Sequence, residues 1–92
     1  MKVARKKPRE PWDFIEIENT LEALQAEVGG HIETITLFSD ACFIVNEKGR
    51  INGLPYNVKL CGLQLFGTVL FVGVNGDEFC DVPLTDLKYL ND

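Results

Sequence analysis

The sequence predicts an α+β fold: a mostly antiparallel sheet with one principal helix packed on it and a short helix near residue 90. Three observations predict this. Apolar residues between Asn19 and Val28 recur at helical spacing and run into Gly29-Gly30. Ala41 to Val45 and Thr68 to Val74 are near-continuous apolar runs of strand length, as expected for strands covered on both faces. Short turns such as Ser39-Asp40 and Asn75-Gly76 then return the chain. With 92 residues, 46% of them hydrophobic and 25% charged, the chain makes a single α+β domain over residues 1–92. A core of this size must be well filled, because so small a domain buries only roughly 60–65% of its chain surface.

Taken in order, Met1 to Lys7 offers Val3 as one apolar anchor among charges and reads as an edge strand or frayed end. Pro8 and Pro11 forbid regular structure between them. Trp12 to Ile17 alternates imperfectly and reads as a strand. Asn19 is a helix N-cap with Glu22 three residues later, the capping-box arrangement. Leu21, Leu24 and Val28 form the apolar stripe of that helix, and Gly29-Gly30 stop it. His31 to Phe38 is rich in β-branched residues and forms a strand, paired as a hairpin with Ala41 to Val45. Asn46 to Asn57 is a punctuated loop, with Gly49, Asn52-Gly53 and Pro55 breaking any ladder. Val58 to Leu65 is a short strand or a connector. Thr68 to Val74 is a central strand, Glu78 to Val82 a short return strand, and Pro83 to Leu90 a short helix capped by Thr85 and docked by Leu87 and Leu90.

The charge bounds the partners. Fourteen acids against nine bases give a net charge of −5. Tight backbone binding of nucleic acid needs many Lys and Arg facing phosphates, and this chain has no large basic face to offer. Lys2, Arg5, Lys6, Lys7 and Arg9 cluster at the start, and Lys48 and Arg50 lie in the later loop. Direct nucleic-acid binding is therefore not expected. No apolar h-region follows Met1 and no stretch reaches the length of a membrane span. A cytoplasmic protein without membrane contact is the expectation.

Catalytic and metal chemistry lack their usual signatures. Cys42, Cys61, Cys80 and His31 are each more than about ten residues apart, unlike the close ligand pairs of structural zinc sites. Cys42 sits in an apolar strand, and no cysteine adjoins a basic residue or helix N-terminus that would lower its pKa. The Gly49-Arg50-Ile51-Asn52-Gly53 stretch lacks the Lys-Ser/Thr ending of a phosphate-binding loop. Glu16 and Glu18 read as solvated strand charges. No motif calls for a cofactor, a metal or a catalytic residue, so the expectation is a protein that is not an enzyme.

What remains is binding. Loops as long and as punctuated as 46–57 are where small domains commonly carry function. The candidate binding residues are Asn46, Lys48, Arg50, Asn52, Tyr56 and Asn57, with Tyr56 an aromatic of the type favoured at contact sites. Two functions follow. One is a protein-binding or regulatory module. The other is a small-ligand binder, such as a nucleotide-sequestering protein, using Arg50, Asn52 and Asn57. The apolar Leu60 to Val74 region also offers a strand edge that a homodimer would cover.

The order of these motifs resembles the family of domain of unknown function 3846, short proteins of phages, conjugative elements and Firmicutes. The resemblance rests on Leu21-Glu22-Ala23-Leu24-Gln25, Val28-Gly29-Gly30, Ile32-Glu33, Asn46-Glu47-Lys48-Gly49, Asn52-Gly53-Leu54-Pro55 with Asn57, and Gly67-Thr68 leading into Phe71-Val72-Gly73. It implies a mobile-element setting, in which the partner is a host or element-encoded protein. Inhibition of a bacterial defence system such as CRISPR is one form of that function. Members of the family carry an acidic, Gly-containing insertion where Val58 to Phe66 is shorter and more apolar here.

Overall fold

The computed structural model describes residues 1–36 and 39–90. Among these residues there are eight strands: β1 (Lys2–Lys6), β2 (Asp13–Glu16), β3 (Ile32–Ile35), β4 (Ala41–Asn46), β5 (Tyr56–Leu60), β6 (Leu63–Phe66), β7 (Val69–Asn75) and β8 (Glu78–Cys80). One helix, α1 (Leu21–Val28), lies between β2 and β3, and a 3-10 helix spans Leu84–Leu90. The main sheet runs β2-β1-β7-β4-β3, with β8 added to β7, and every pairing is antiparallel. β5 and β6 form a separate hairpin. The α+β class read from the sequence is the class observed.

Three layers result. On one face of the sheet, Leu24 and Val28 of α1 pack on Val3, Cys42, Ile44, Leu70 and Val72. On the other, Leu60 and Leu65 of the hairpin and Leu90 of the 3-10 helix cover Ala4, Phe43, Val45, Val69 and Phe71. The rings of Phe43 and Phe71 meet at 4.8 Å across β4 and β7. This double cover explains why β4 is buried along its whole length and β7 from Val69 to Gly73. Beside the end of β8, which pairs with β7, Gly73 has no room for a side chain, because a Cβ there would run into the carbonyl oxygen of Asp81. Among the described residues, no helix is long and apolar enough to cross a membrane.

Several expectations need correcting. β1 is neither edge nor frayed: it lies between β2 and β7, with Val3 and Ala4 fully buried. Its charges are tolerated because other elements supply partners. Arg5 pairs with Asp13 of β2 at 2.9 Å and with Glu27 of α1 at 3.1 Å, and these hydrogen bonds, Asp13's first, raise the pKa of its guanidinium. Lys6 Nζ donates to Asn57 Oδ1 at 2.9 Å.

The N-cap of α1 is Thr20, whose Oγ1 accepts from Ala23 N at 3.2 Å. Asn19 is one residue too early, and its Nδ2 donates to the Phe79 carbonyl in β8 instead. Leu21 is exposed, so the buried stripe is Leu24 and Val28. The helix stop is as read: Gly29 takes φ 79°, and its N–H returns to the Gln25 carbonyl at 2.8 Å. Thr85 lies inside the 3-10 helix rather than capping it, while Leu87 and Leu90 pack against the core as expected. The third strand ends at Ile35; Leu37 and Phe38, read as its continuation, lie outside the described residues.

Val58 to Leu65, which the sequence reads as a short strand or a connector, spans parts of two strands and the turn that joins them. Cys61 (φ 51°) and Gly62 (φ 80°) both adopt left-handed backbone at the turn, the geometry of a two-residue hairpin with the twist of the flanking strands. Glycine supplies that geometry freely at one position and cysteine is forced into it at the other.

Candidate functional site

The turn region between β4 and β5 is a chain of interlocking backbone hydrogen bonds. Gly49 N donates to the Asn46 carbonyl, Asn52 N to Lys48, Gly53 N to Arg50 and Leu54 N to Gly49, at 2.8 to 3.2 Å. Gly67 N then donates to the Pro55 carbonyl at 2.8 Å, which ties the end of the turn to the exit of β6. The segment is therefore ordered by its own backbone.

Its two ends are pinned by asparagines. Asn46 closes β4; its Nδ2 donates to the Val28 carbonyl at 3.1 Å, taking one of the carbonyls α1 leaves open, and its Oδ1 accepts from Lys48 N at 2.8 Å. Asn57 sits where the β5–β6 register slips between Tyr56 and Val58. This bulge takes Asn57 out of the ladder. Its Nδ2 donates to the carbonyls of Lys6 and Gly67, both at 2.7 Å, and its Oδ1 accepts from Lys6 Nζ. Both residues are only 8% exposed.

Between the pins, the side chains face outward. Lys48, Arg50 and Asn52 are exposed, and Ile51 is 84% exposed. The guanidinium carbon of Arg50 lies 5.3 Å from the centre of the Phe66 ring, in cation–π range. Tyr56 meets the same ring edge-on at 5.8 Å and remains half exposed. Phe66 thus holds a cation and an aromatic from opposite ends of the turn region. A cleft of about 130 Å³ adjoins this cluster, between the β3 edge and β6, with Glu33, Glu47 and Gln64 among its lining residues.

The six candidates therefore divide. Arg50 and Tyr56 are brought together through Phe66, Lys48 and Asn52 stand beside them on the surface, and Asn46 and Asn57 are buried with their amides engaged. Asn46 and Arg50 among the candidates line the cleft, whereas Ile51, Phe66 and the cleft residues Glu33, Glu47 and Gln64 are not among the residues the sequence singles out. Ile51 carried a usable signal, as an apolar residue between Arg50 and Asn52 in a turn. Phe66 carried none until the hairpin register was known. His31 is exposed at the start of β3, and none of the three cysteines forms a disulfide: Cys42 is buried, Cys61 exposed and Cys80 half-buried. Among the described residues, no group of three His, Cys, Asp or Glu side chains is placed to hold a metal ion.

Fold and site together define a small layered α+β protein with a hydrogen-bonded turn leading into a hairpin that covers one face of its sheet. The family described as domain of unknown function (DUF3846) matches residues 1–92, and the chain belongs to this family. No curated protein and no solved structure matches it.

Proposed function

We propose that this protein is a non-enzymatic binding module that engages another protein through the turn 47–55 and the adjoining hairpin. The observation that carries this reading is the Arg50–Phe66–Tyr56 cluster with Ile51 standing out beside it, held in place by the buried asparagines at either end. Arginine and aromatic residues supply most interface hot spots. A turn already fixed by its own hydrogen bonds loses little conformational freedom on binding, which leaves more of the contact energy as affinity. The setting we propose is a phage or conjugative element, with a host or element-encoded partner such as a component of a defence system.

The small-ligand reading draws less support. The cleft beside Arg50 measures about 130 Å³, well short of the roughly 300–1,000 Å³ that drug-sized ligands occupy. Glu33 and Glu47 at the cleft would repel phosphate. Asn57, one of the three residues that reading needs, has both ends of its amide committed inside the fold.

The test is affinity capture from lysate of the native host, comparing the wild type with Arg50→Ala, Tyr56→Ala and Ile51→Asp. A partner retained by the wild type and lost by all three variants supports the proposal. A partner that binds all four equally places recognition elsewhere. A thermal shift with a nucleotide, on the order of 2.7 kcal/mol at a hundredfold excess over the dissociation constant, would favour the ligand reading instead.

A further inference from the structure

β3 lies at the end of the main sheet and has β4 as its one hydrogen-bonded neighbour among the described residues. Which of its backbone groups are free follows from the ladder. Glu47 N donates to the His31 carbonyl at 2.8 Å, and the β3–β4 register continues with Glu33 opposite Val45 and Ile35 opposite Phe43. In an antiparallel pair, hydrogen-bonded positions alternate with non-bonded ones. Glu33 and Ile35 therefore turn their N–H and C=O groups toward β4, and Ile32 and Thr34 turn theirs outward.

The side chains on this edge are also set. Ile32 packs toward α1. Glu33 and Ile35 point to the opposite face and line the 130 Å³ cleft, whose apolar wall includes Leu65 and Phe66. Glu33 and Glu47 border the cleft, and Arg50, which also borders it, is engaged with the Phe66 ring. An open strand edge beside a cleft sized for one side chain is the arrangement that strand-adding recognition uses: main-chain bonds give affinity and the pocket gives selectivity.

We infer that β3 is a docking edge for an extended, basic strand of the partner protein, with one Lys or Arg side chain of that strand seated in the cleft. This rests on the protein-binding reading above and names the chemistry of the partner. The aliphatic stem of the basic side chain lies along Ile35, Leu65 and Phe66, and its charged head meets Glu33 and Glu47. Charge decides against a second copy of this chain as the occupant. Pairing β3 with itself would bring two sets of Glu33 and Glu47 to one seam in a chain of net charge −5. The basic strand of this chain, β1, is already enclosed between β2 and β7.

The experiment uses the full chain labelled with ¹⁵N and a blocked hexapeptide of alternating threonine and lysine, with the threonine–glutamate peptide as control. The expected result is that the basic peptide shifts the amide signals of Ile32, Glu33, Thr34 and Gln64 and slows exchange of the Ile32 and Thr34 amides. Thr34→Pro removes an outward donor without breaking the β4 ladder, a position where edge strands accept proline, and should abolish the response while thermal melting confirms the fold. Glu33→Lys, at an exposed position, should weaken binding about fivefold. Three results would overturn the inference: no response, an equal response to the acidic peptide, or a response confined to the other sheet edge at Phe14. A wild-type dimer that Thr34→Pro dissolves would assign the edge to a second copy and overturn it too. In the capture experiment, a partner lost by Arg50→Ala but kept by Thr34→Pro leaves turn-mediated binding standing and removes strand addition alone.

Discussion

Asn46 and Asn57 bound the same stretch of chain as Arg50, Ile51 and Asn52, yet the two groups do opposite work. The bounding asparagines are buried, and between them they bond to the end of α1, to the start of the turn, to β1 and to the exit of β6. The residues in the middle are exposed, and of the three Arg50 alone reaches back, to the Phe66 ring. A buried amide is stabilising only when its partners are present, and removing it leaves those partners desolvated and unmade. An exposed side chain in the same turn carries no such penalty. The display surface is therefore held by residues that cannot themselves take part in display.

The contrast breaks first at Asn57. Asn57→Ala leaves two carbonyls and the Lys6 ammonium without their partner and should cost about 3 kcal/mol in urea denaturation. Asn46→Ala frees the Val28 carbonyl and the Lys48 amide and should cost about 2 kcal/mol. Ile51→Asp and Asn52→Ala should stay within about 0.5 kcal/mol of the wild type, even where Ile51→Asp abolishes partner capture. An Ile51→Asp variant as unstable as Asn46→Ala would mean that the middle of the turn is packing and not display.

Asp86 sharpens the contrast from the 3-10 helix. Its pKa is raised, first by a hydrogen bond to Asp40, then by desolvation and by Asp40's charge, with Lys88 opposing. A raised value means that the folded state holds the proton more tightly than the unfolded chain. The stabilisation is complete below the ordinary aspartate value of about 3.9 and fades as pH rises through the raised value. Asp86→Asn, which cannot ionise, should therefore gain in stability relative to the wild type as pH rises above about 4. A difference independent of pH would show that the two carboxyls share no proton.

The smallest effect separates the cysteines. Burial pushes the Cys42 thiol up to about 11, whereas Cys61 stands exposed at the hairpin turn. Iodoacetamide at mildly alkaline pH should label Cys61 in the native protein and reach Cys42 only after unfolding, as peptide mass mapping would read. Native labelling of Cys42 would place β4 at a surface.

Much of the frame was legible because it depends on near neighbours. The Gly29 stop and the apolar runs of β4 and β7 each follow from a few adjacent residues and stand where the sequence places them, while the turn expected at Asn75-Gly76 falls one residue later, at Gly76-Asp77, with Asn75 closing β7 opposite Glu78. The hairpin β5–β6 was missed because its turn puts a cysteine where asparagine or aspartate is the usual signal. Half of the site reading depended on this. With the hairpin unassigned, nothing placed Phe66 under Arg50, and nothing showed that the bulge withdraws Asn57 from the surface.

The sequence by itself determined the α+β class, the helix stop, the two doubly covered strands and the turn that carries Arg50 and Ile51. These follow from backbone sterics and the periodicity of apolar residues, which act over a few positions. Tertiary structure alone decided that a charged segment such as β1 runs inside the sheet, and which asparagines are pins and which are display. That depends on partners distant in the chain: Lys6 and Asn57 are 51 positions apart, and neither side chain has a fixed role until the sheet and hairpin layers bring them into contact.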